Sequence, residues 1–484
     1  MGRLMATPMV IRSLTCMRLL IAAGSIAAVG GAVLPPLGAA AQTATNMAAL
    51  RGLAPASALA NTAAGRAALA ANFAITGSIQ NGTLPQPTLL AFPEQQQQAL
   101  RDSFITAGNA TQLADGLGSN LGRVWQSLAS YTSTDDGRTT SFTNVSPAVA
   151  GLIGFAIATT SSDSGSAKFF FANATTNGRK QVSIEALAVL KEVNGITDFF
   201  GAAHHLPAGS PGADIYGNSR PFQTESRFTT IVGKDFFGVE SSNIAYLRGP
   251  AQDLVDNPSF PSGHTNYGYT ESLLLALMVP QRYQQMITRA AEYGNDRIIV
   301  GAHYALDVLA GRTLALYDVA HLLANRPGYV GTRRGGAQIN DFRQALAAAR
   351  PDVTKALEAG CGGTITTCAR QDHSRFADAG RNGTFYAVTQ RYGLPVVFAQ
   401  NAAGTEDVAR LAPEAGYLLI AAFPYLTLAQ ADDILTATEG PGGGFLDNGS
   451  EFGIYSRLDL YRAARKAMAA GPQPHPASAT APRR

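Results

Sequence analysis

Charged residues are scarce in this chain. Lys, Arg, Asp and Glu make up 15% of it, and the formal net charge is +3. Arg3, Arg12 and Arg18, all near the start, account for that excess, so the remainder is close to neutral. A near-neutral body excludes a nucleic-acid or anionic-membrane binder that works by bulk charge. Long uncharged apolar runs are also missing past residue 41. Residues 145–160 come nearest, but they are short for a bilayer span and rich in Ala, Gly and Ser. Strand signals are sparse and no internal repeat is visible. What is plentiful is apolar residues, at 46%, with 50 Gly and 25 Pro, which fits a globular chain with many loops.

The basic start leads into an apolar stretch at 19–34 and then the small residues Ala39, Ala40 and Ala41 before Gln42. That order is a secretory signal peptide over residues 1–41, with export to the periplasm or medium. The alternative is an uncleaved N-terminal anchor. Cys16 precedes the apolar stretch instead of ending it, so it is a poor lipid-attachment site. Its removal leaves Cys361 and Cys368 in the order CGGTITTC. An even pair around a short Gly-containing loop in an exported chain favours a local disulfide. A metal site is the other reading, but His373 is the single nearby ligand type.

Residues 42–93, rich in Ala, Asn and Thr, form an extension expected to wrap the core or move. Helix-like spacing appears at 94–110, 111–131, 147–160 and 182–202, with TSTDDGRTT and SSDSGS as separators. After a Gly/Pro/Ser loop at 204–222 come two buried helical stretches, one opened by PSGH and one running through DRIIVGAHYALDVLAGR. The core is placed at 94–330. More charged helices at 340–349 and 351–359 open a C-terminal helical extension, 331–470, and 471–484 read as a disordered tail. The fold class is all-α, a helical bundle with long loops.

Three stretches carry groups suited to oxyanion chemistry. His303 and Asp307 are four apart, so on a helix they share a face. The carboxylate can then fix one imidazole nitrogen and leave the other as a nucleophile. Alone, such a pair is more often structural. Arg297, before the histidine, offers a fork for phosphate oxygens. In PSGH, Ser262 can cap a helix, Gly263 allows close backbone approach, and His264 can protonate a leaving alkoxide. Arg220 supplies a second fork at an Arg-Pro bend. No carboxylate cluster points to a metal.

Together, Arg220-Pro221, FPSGHT and VGAHYALDVLAGR resemble the phosphatidic-acid phosphatase type 2 (PAP2) superfamily, which includes class A acid phosphatases and vanadium haloperoxidases. The likeness covers about residues 199–323. A looser one links the end of the chain to a C-terminal extension of some secreted members. The resemblance implies a metal-independent acid phosphatase, without cofactor, acting on a small phosphorylated substrate. His303 would attack phosphorus to give a phosphohistidine, oriented by Asp307. His264 would protonate the leaving oxygen, and Arg220, Arg297, Ser262 and Gly263 would hold the phosphoryl oxygens.

Two positions depart from the family pattern. Its first stretch normally begins with a lysine where this chain has Ala213, leaving Lys234 or Lys191 as substitutes. The serine expected before Arg297 is Asp296. The missing lysine weighs against a vanadate-dependent haloperoxidase, the alternative enzyme, and is the main feature favouring a non-catalytic phosphate-binding relic. His204 and His205 lie upstream in the same loop, where satisfied or solvated histidines are the plainer reading. Residues 223–257 are expected near the pocket mouth. A homo-oligomer is compatible with the sequence.

Overall fold

The computed structural model describes residues 46–471 apart from 84–87, 135–136, 143, 194–197, 226–227 and 250–251. The expected signal peptide and nearly all of the expected tail lie outside the described residues.

Seven helices organise the structure: α1 (Ala63–Asn81), α2 (Phe92–Asp102), α3 (Pro147–Asn173), α4 (Gly263–Met278), α5 (Tyr283–Ile299), α6 (Ala305–Leu323) and α7 (Phe342–Cys361). Strands among the described residues are confined to two-stranded antiparallel ribbons, so the chain is all-α as expected. No described helix is long and apolar enough to cross a membrane.

The centre of the bundle is α4. Every residue from His264 to Met278 is buried, because SLLLALM is apolar on all sides and leaves no solvent face. Helices α3, α5 and α6 pack around it. The helix α6 crosses the start of α4 so closely that a Cβ at Gly311 would stand 2.4 Å from the Ser262 carbonyl oxygen. Glycine there lets two segments of the site meet.

The polar side of α5 is buried in a charge network. Arg289 donates to Asp102 (2.6 and 2.8 Å) and Asp115 (2.6 Å), and Arg375 donates to Glu292 and Asp115. Buried ions need such partners. Arg375 belongs to the expected C-terminal extension, and Tyr283 Oη on α5 likewise donates to the Leu418 carbonyl (2.9 Å). Residues 331–470 therefore pack on the core helices. Cys361 and Cys368 are joined by a disulfide.

Several expected elements differ. Residues 42–93 contain α1 and shorter helical turns whose Leu50, Leu53 and Leu59 enter the common core. The helix expected at 111–131 is interrupted at Gly118 (φ +101°), resumes as Leu121–Ser127, and gives way to a β-hairpin, Ala129–Thr134 with Gly137–Phe142. The stretch expected to end near 160 runs on through SSDSGS to Asn173. Asp163 is held to the bundle by Asn46 Nδ2 (2.8 Å), and Ser164 Oγ turns back onto the Ser161 carbonyl of its own helix. The segments at 340–349 and 351–359 form one helix across Pro351. Its apolar face Phe342, Leu346, Ala349, Val353 and Leu357 keeps register through the proline. The helix expected at 182–202 is seen as Ile184–Glu192 and Phe199–Ala203.

Candidate active site

The three stretches converge where α4 and α6 begin. Ser262 caps α4, its hydroxyl accepting from the Thr265 amide at 3.1 Å, while its own amide donates to the Asp307 carbonyl at 3.0 Å. Gly263 and His264 thus open the helix, where amides lack intrahelical acceptors and the dipole is positive.

His303 is not on a helix, contrary to the sequence reading. It sits in the turn between α5 and α6, with its amide on the Arg297 carbonyl (3.2 Å). The difference arises because α6 begins only at Ala305, where Asp307 folds back to accept from the Tyr304 amide (2.8 Å). His303 Nδ1 and Asp307 Oδ2 are still 3.4 Å apart. Between them stands Ser259, whose hydroxyl donates to Asp307 Oδ2 at 2.5 Å and lies 3.3 Å from His303 Nδ1.

The other face of His303 meets His264 and Arg220. Its Nε2 is 3.2 Å from His264 Nδ1 and 3.1 Å from Arg220 Nη1. Arg220 is fixed by backbone oxygens: Nε donates to Asn257 (2.7 Å), Nη1 to Ala302 (2.9 Å) and Nη2 to Pro258 (3.2 Å). His264 Nε2 is 2.9 Å from Tyr246 Oη. Arg297, in the last turn of α5, reaches the same Tyr246 Oη (3.4 Å) and lies over the Tyr293 ring at 4.7 Å.

All these groups are buried. Asp307 is pushed up to about 6 by burial, with the Ser259 and Tyr304 hydrogen bonds pulling the other way. Burial first, and then neighbouring cations, hold His303 and His264 well below the usual imidazole range. Burial also draws Arg220 down to about 10. Two imidazoles favoured in the neutral form thus stand beside two buried guanidiniums.

The substitutes named for the missing lysine do not reach this place. Lys191 and Lys234 are exposed on the surface. A lysine comes instead from α3: Lys168, 7% exposed, donates to the Pro258 carbonyl (2.8 Å) and Asn257 Oδ1 (3.3 Å). Asp296 is turned away, accepting from Gln95 Nε2 (2.9 Å) beside Glu292. His204 packs among Phe73, Tyr304 and Phe200, and burial takes it down to about 3. His205 is exposed.

Lys168, Tyr246, Asn257 and Ser259 are the site residues that sequence reasoning missed. Lys168 had a usable signal, as the one charge in SGSAKFFFA. Tyr246 falls in the 223–257 segment expected nearby, without any cue of its own.

Comparison with known proteins agrees with this geometry. The PAP2 superfamily model matches residues 202–326. A non-specific acid phosphatase of Salmonella typhimurium is 44% identical over 69 residues, 14% of this chain and 28% of that protein. An acid phosphatase of Zymomonas mobilis is 35% identical over 105 residues, 22% and 34% of the two chains. A non-specific acid phosphatase of Providencia stuartii is 36% identical over 90 residues, 19% and 35%. The chain spans about a third of the length of these curated relatives. The stretch matched by the PAP2 superfamily model contains Arg220, His264, Arg297, His303 and Asp307.

Proposed function

We propose that the chain is a phosphomonoesterase that works through a phosphohistidine, without a metal. The observation that carries this reading is His303, with Nδ1 turned to Ser259 and Asp307 and Nε2 turned to His264 and Arg220. The acid phosphatase relatives support the same reaction class.

In the first step His303 Nε2 attacks phosphorus, and the bond to the leaving alcohol breaks as the N–P bond forms. His264 Nδ1, protonated once the phosphate dianion offsets the surrounding cations, gives its proton to the leaving oxygen. The His303 Nδ1 proton stays on the Ser259–Asp307 side, whose carboxylate steadies the positive charge on the ring. In the second step water attacks phosphorus, the N–P bond breaks, and His264 takes the proton from water. Arg220, Arg297 and the first amides of α4 hold the phosphoryl oxygens throughout. Because fixed cations and amides form this cradle, charge neutralisation does not call on a divalent ion. Export to the periplasm or medium is part of the proposal, supported by the pattern of residues 1–41 and the disulfide.

The test is phosphate release from a panel of small phosphomonoesters in excess EDTA, comparing wild type with His303→Ala. Turnover that survives EDTA and vanishes in the variant is expected. Absence of release by the wild type, or full activity in His303→Ala, would overturn the reading.

A further inference from the structure

Lys168 and Arg220 come from separate parts of the chain and share the same acceptors. Lys168 Nζ donates to the Pro258 carbonyl and Asn257 Oδ1 at 2.8 and 3.3 Å. Arg220 Nη2 donates to the same two atoms at 3.2 and 3.1 Å. Both acceptors are neutral. Among the described residues neither cation has a carboxylate within ion-pair distance. Two buried positive charges side by side on neutral oxygens are a costly arrangement for a folded chain.

A third positive end meets them. The Lys168 stem runs across the first residue of α4, where a Cβ built at Gly263 would stand 3.3 Å from Lys168 Cε and 3.8 Å from Ser164 Oγ. Lys168 thus lies beside the opening amides of a helix of 16 residues, the end that favours an anion. Burial, followed by the Arg220 charge, draws the Lys168 ammonium well below the ordinary lysine range. A bound anion reverses that penalty.

We propose that Lys168 is a phosphate-binding residue of the site, its ammonium taking a phosphoryl oxygen of the ester together with Arg220 and the first amides of α4. This rests on the phosphatase reading for the identity of the ligand. The stem of Lys168 keeps the ammonium within reach of the oxyanion, and a charged donor there raises affinity for both ester and product.

The experiment compares wild type with Lys168→Met, Lys168→Gln and Lys168→Arg, using phenyl phosphate as substrate and inorganic phosphate as competitive inhibitor. Loss of one charged contact is expected to raise KM for the ester and Ki for phosphate together by about 10–100-fold in both neutral variants. Lys168→Arg keeps the charge but not the compact ammonium, so it should lose less affinity than either neutral variant. Melting temperature with and without phosphate separates ligation from support. The phosphate-induced rise should disappear in Lys168→Met while its melting temperature without phosphate is kept. A folded neutral variant with KM and Ki within about twofold of wild type overturns the proposal. So does failure of both neutral variants to fold, which would make the ammonium a structural anchor. If the wild type hydrolyses no ester, the phosphatase reading fails alone, and phosphate-dependent melting still decides the role of Lys168. A wild type that neither hydrolyses esters nor binds phosphate overturns both.

Discussion

Arg220 Nη1 stands 3.1 Å from His303 Nε2, so the guanidinium proposed to hold a phosphoryl oxygen already donates toward the nitrogen proposed to attack it. The fork is aimed by three backbone carbonyls, from Asn257, Pro258 and Ala302, and each takes a different part of it. A lysine could satisfy at most one of these directions while facing His303. Arg220→Lys is therefore expected to lower kcat/KM by about 100-fold or more, since a planar fork and a point charge are not interchangeable. Steady-state kinetics on one ester checks this. A loss below about threefold would mean that the guanidinium does not contact the reacting phosphate.

Ser259 gives a prediction about pH. Its hydroxyl bridges Asp307 Oδ2 and His303 Nδ1, and it is one of the two hydrogen bonds opposing the rise of Asp307 to about 6. Asp307 must be ionised to accept from the His303 side, so activity falls as pH drops through its pKa. In Ser259→Ala that pKa rises further, because burial is opposed by one bond fewer. The acid limb of kcat/KM should move to higher pH, with a roughly tenfold loss of kcat at the plateau. An unmoved acid limb would show that Asp307 is not the group that titrates.

Tyr246 acts on the leaving group through His264. Its hydroxyl lies 2.9 Å from His264 Nε2, which leaves Nδ1 facing His303. Removing the hydroxyl frees the imidazole to rotate or change tautomer. Tyr246→Phe is expected to slow alkyl phosphates by about tenfold, because a poor leaving group needs the proton. Esters of acidic phenols, which leave without one, should be slowed far less. Equal slowing of both classes would place Tyr246 in substrate binding instead.

Much of this site was legible because each stretch carries its own local chemistry. PSGH reads as a capped helix start and is one, with Ser262 accepting from Thr265. Arg220, Arg297, His303 and Asp307 are brought together as their residue types suggest. The placement of His303 on a helix was wrong because spacing by four is silent about where a helix begins. Gly301, with φ +83°, follows the end of α5, and α6 starts after Tyr304. Lys168 was hidden for another reason: SSDSGS looks like a break in isolation. Within the helix Ser164 bonds back to the Ser161 carbonyl, and Asp163 takes a hydrogen bond from Asn46, a partner that only the folded bundle provides. The hairpin at 129–142 falls on TSTDDGRTT, whose Gly, Asp and Thr content reads as a separator between helices and so hides the two strands.

The segment before residue 93 also supports the site, through α1. Asn72 Oδ1 accepts from the Leu306 amide at 3.0 Å, and Thr76 Oγ1 accepts from the Ala305 amide at 3.2 Å. These are the first two amides of α6, which no residue of α6 itself can satisfy. The cap thus comes from a helix distant in sequence, and it fixes the turn that carries Asp307. Asn72→Ala should cost about 1–2 kcal/mol, the usual effect of losing a buried helix cap. The urea midpoint should fall accordingly. Because the loosened turn holds Asp307 against His303, kcat should fall in the same variant while KM for the ester stays near wild type. A variant that is destabilised but has wild-type kcat would confine Asn72 to the fold, and α1 would then have no part in setting the nucleophile.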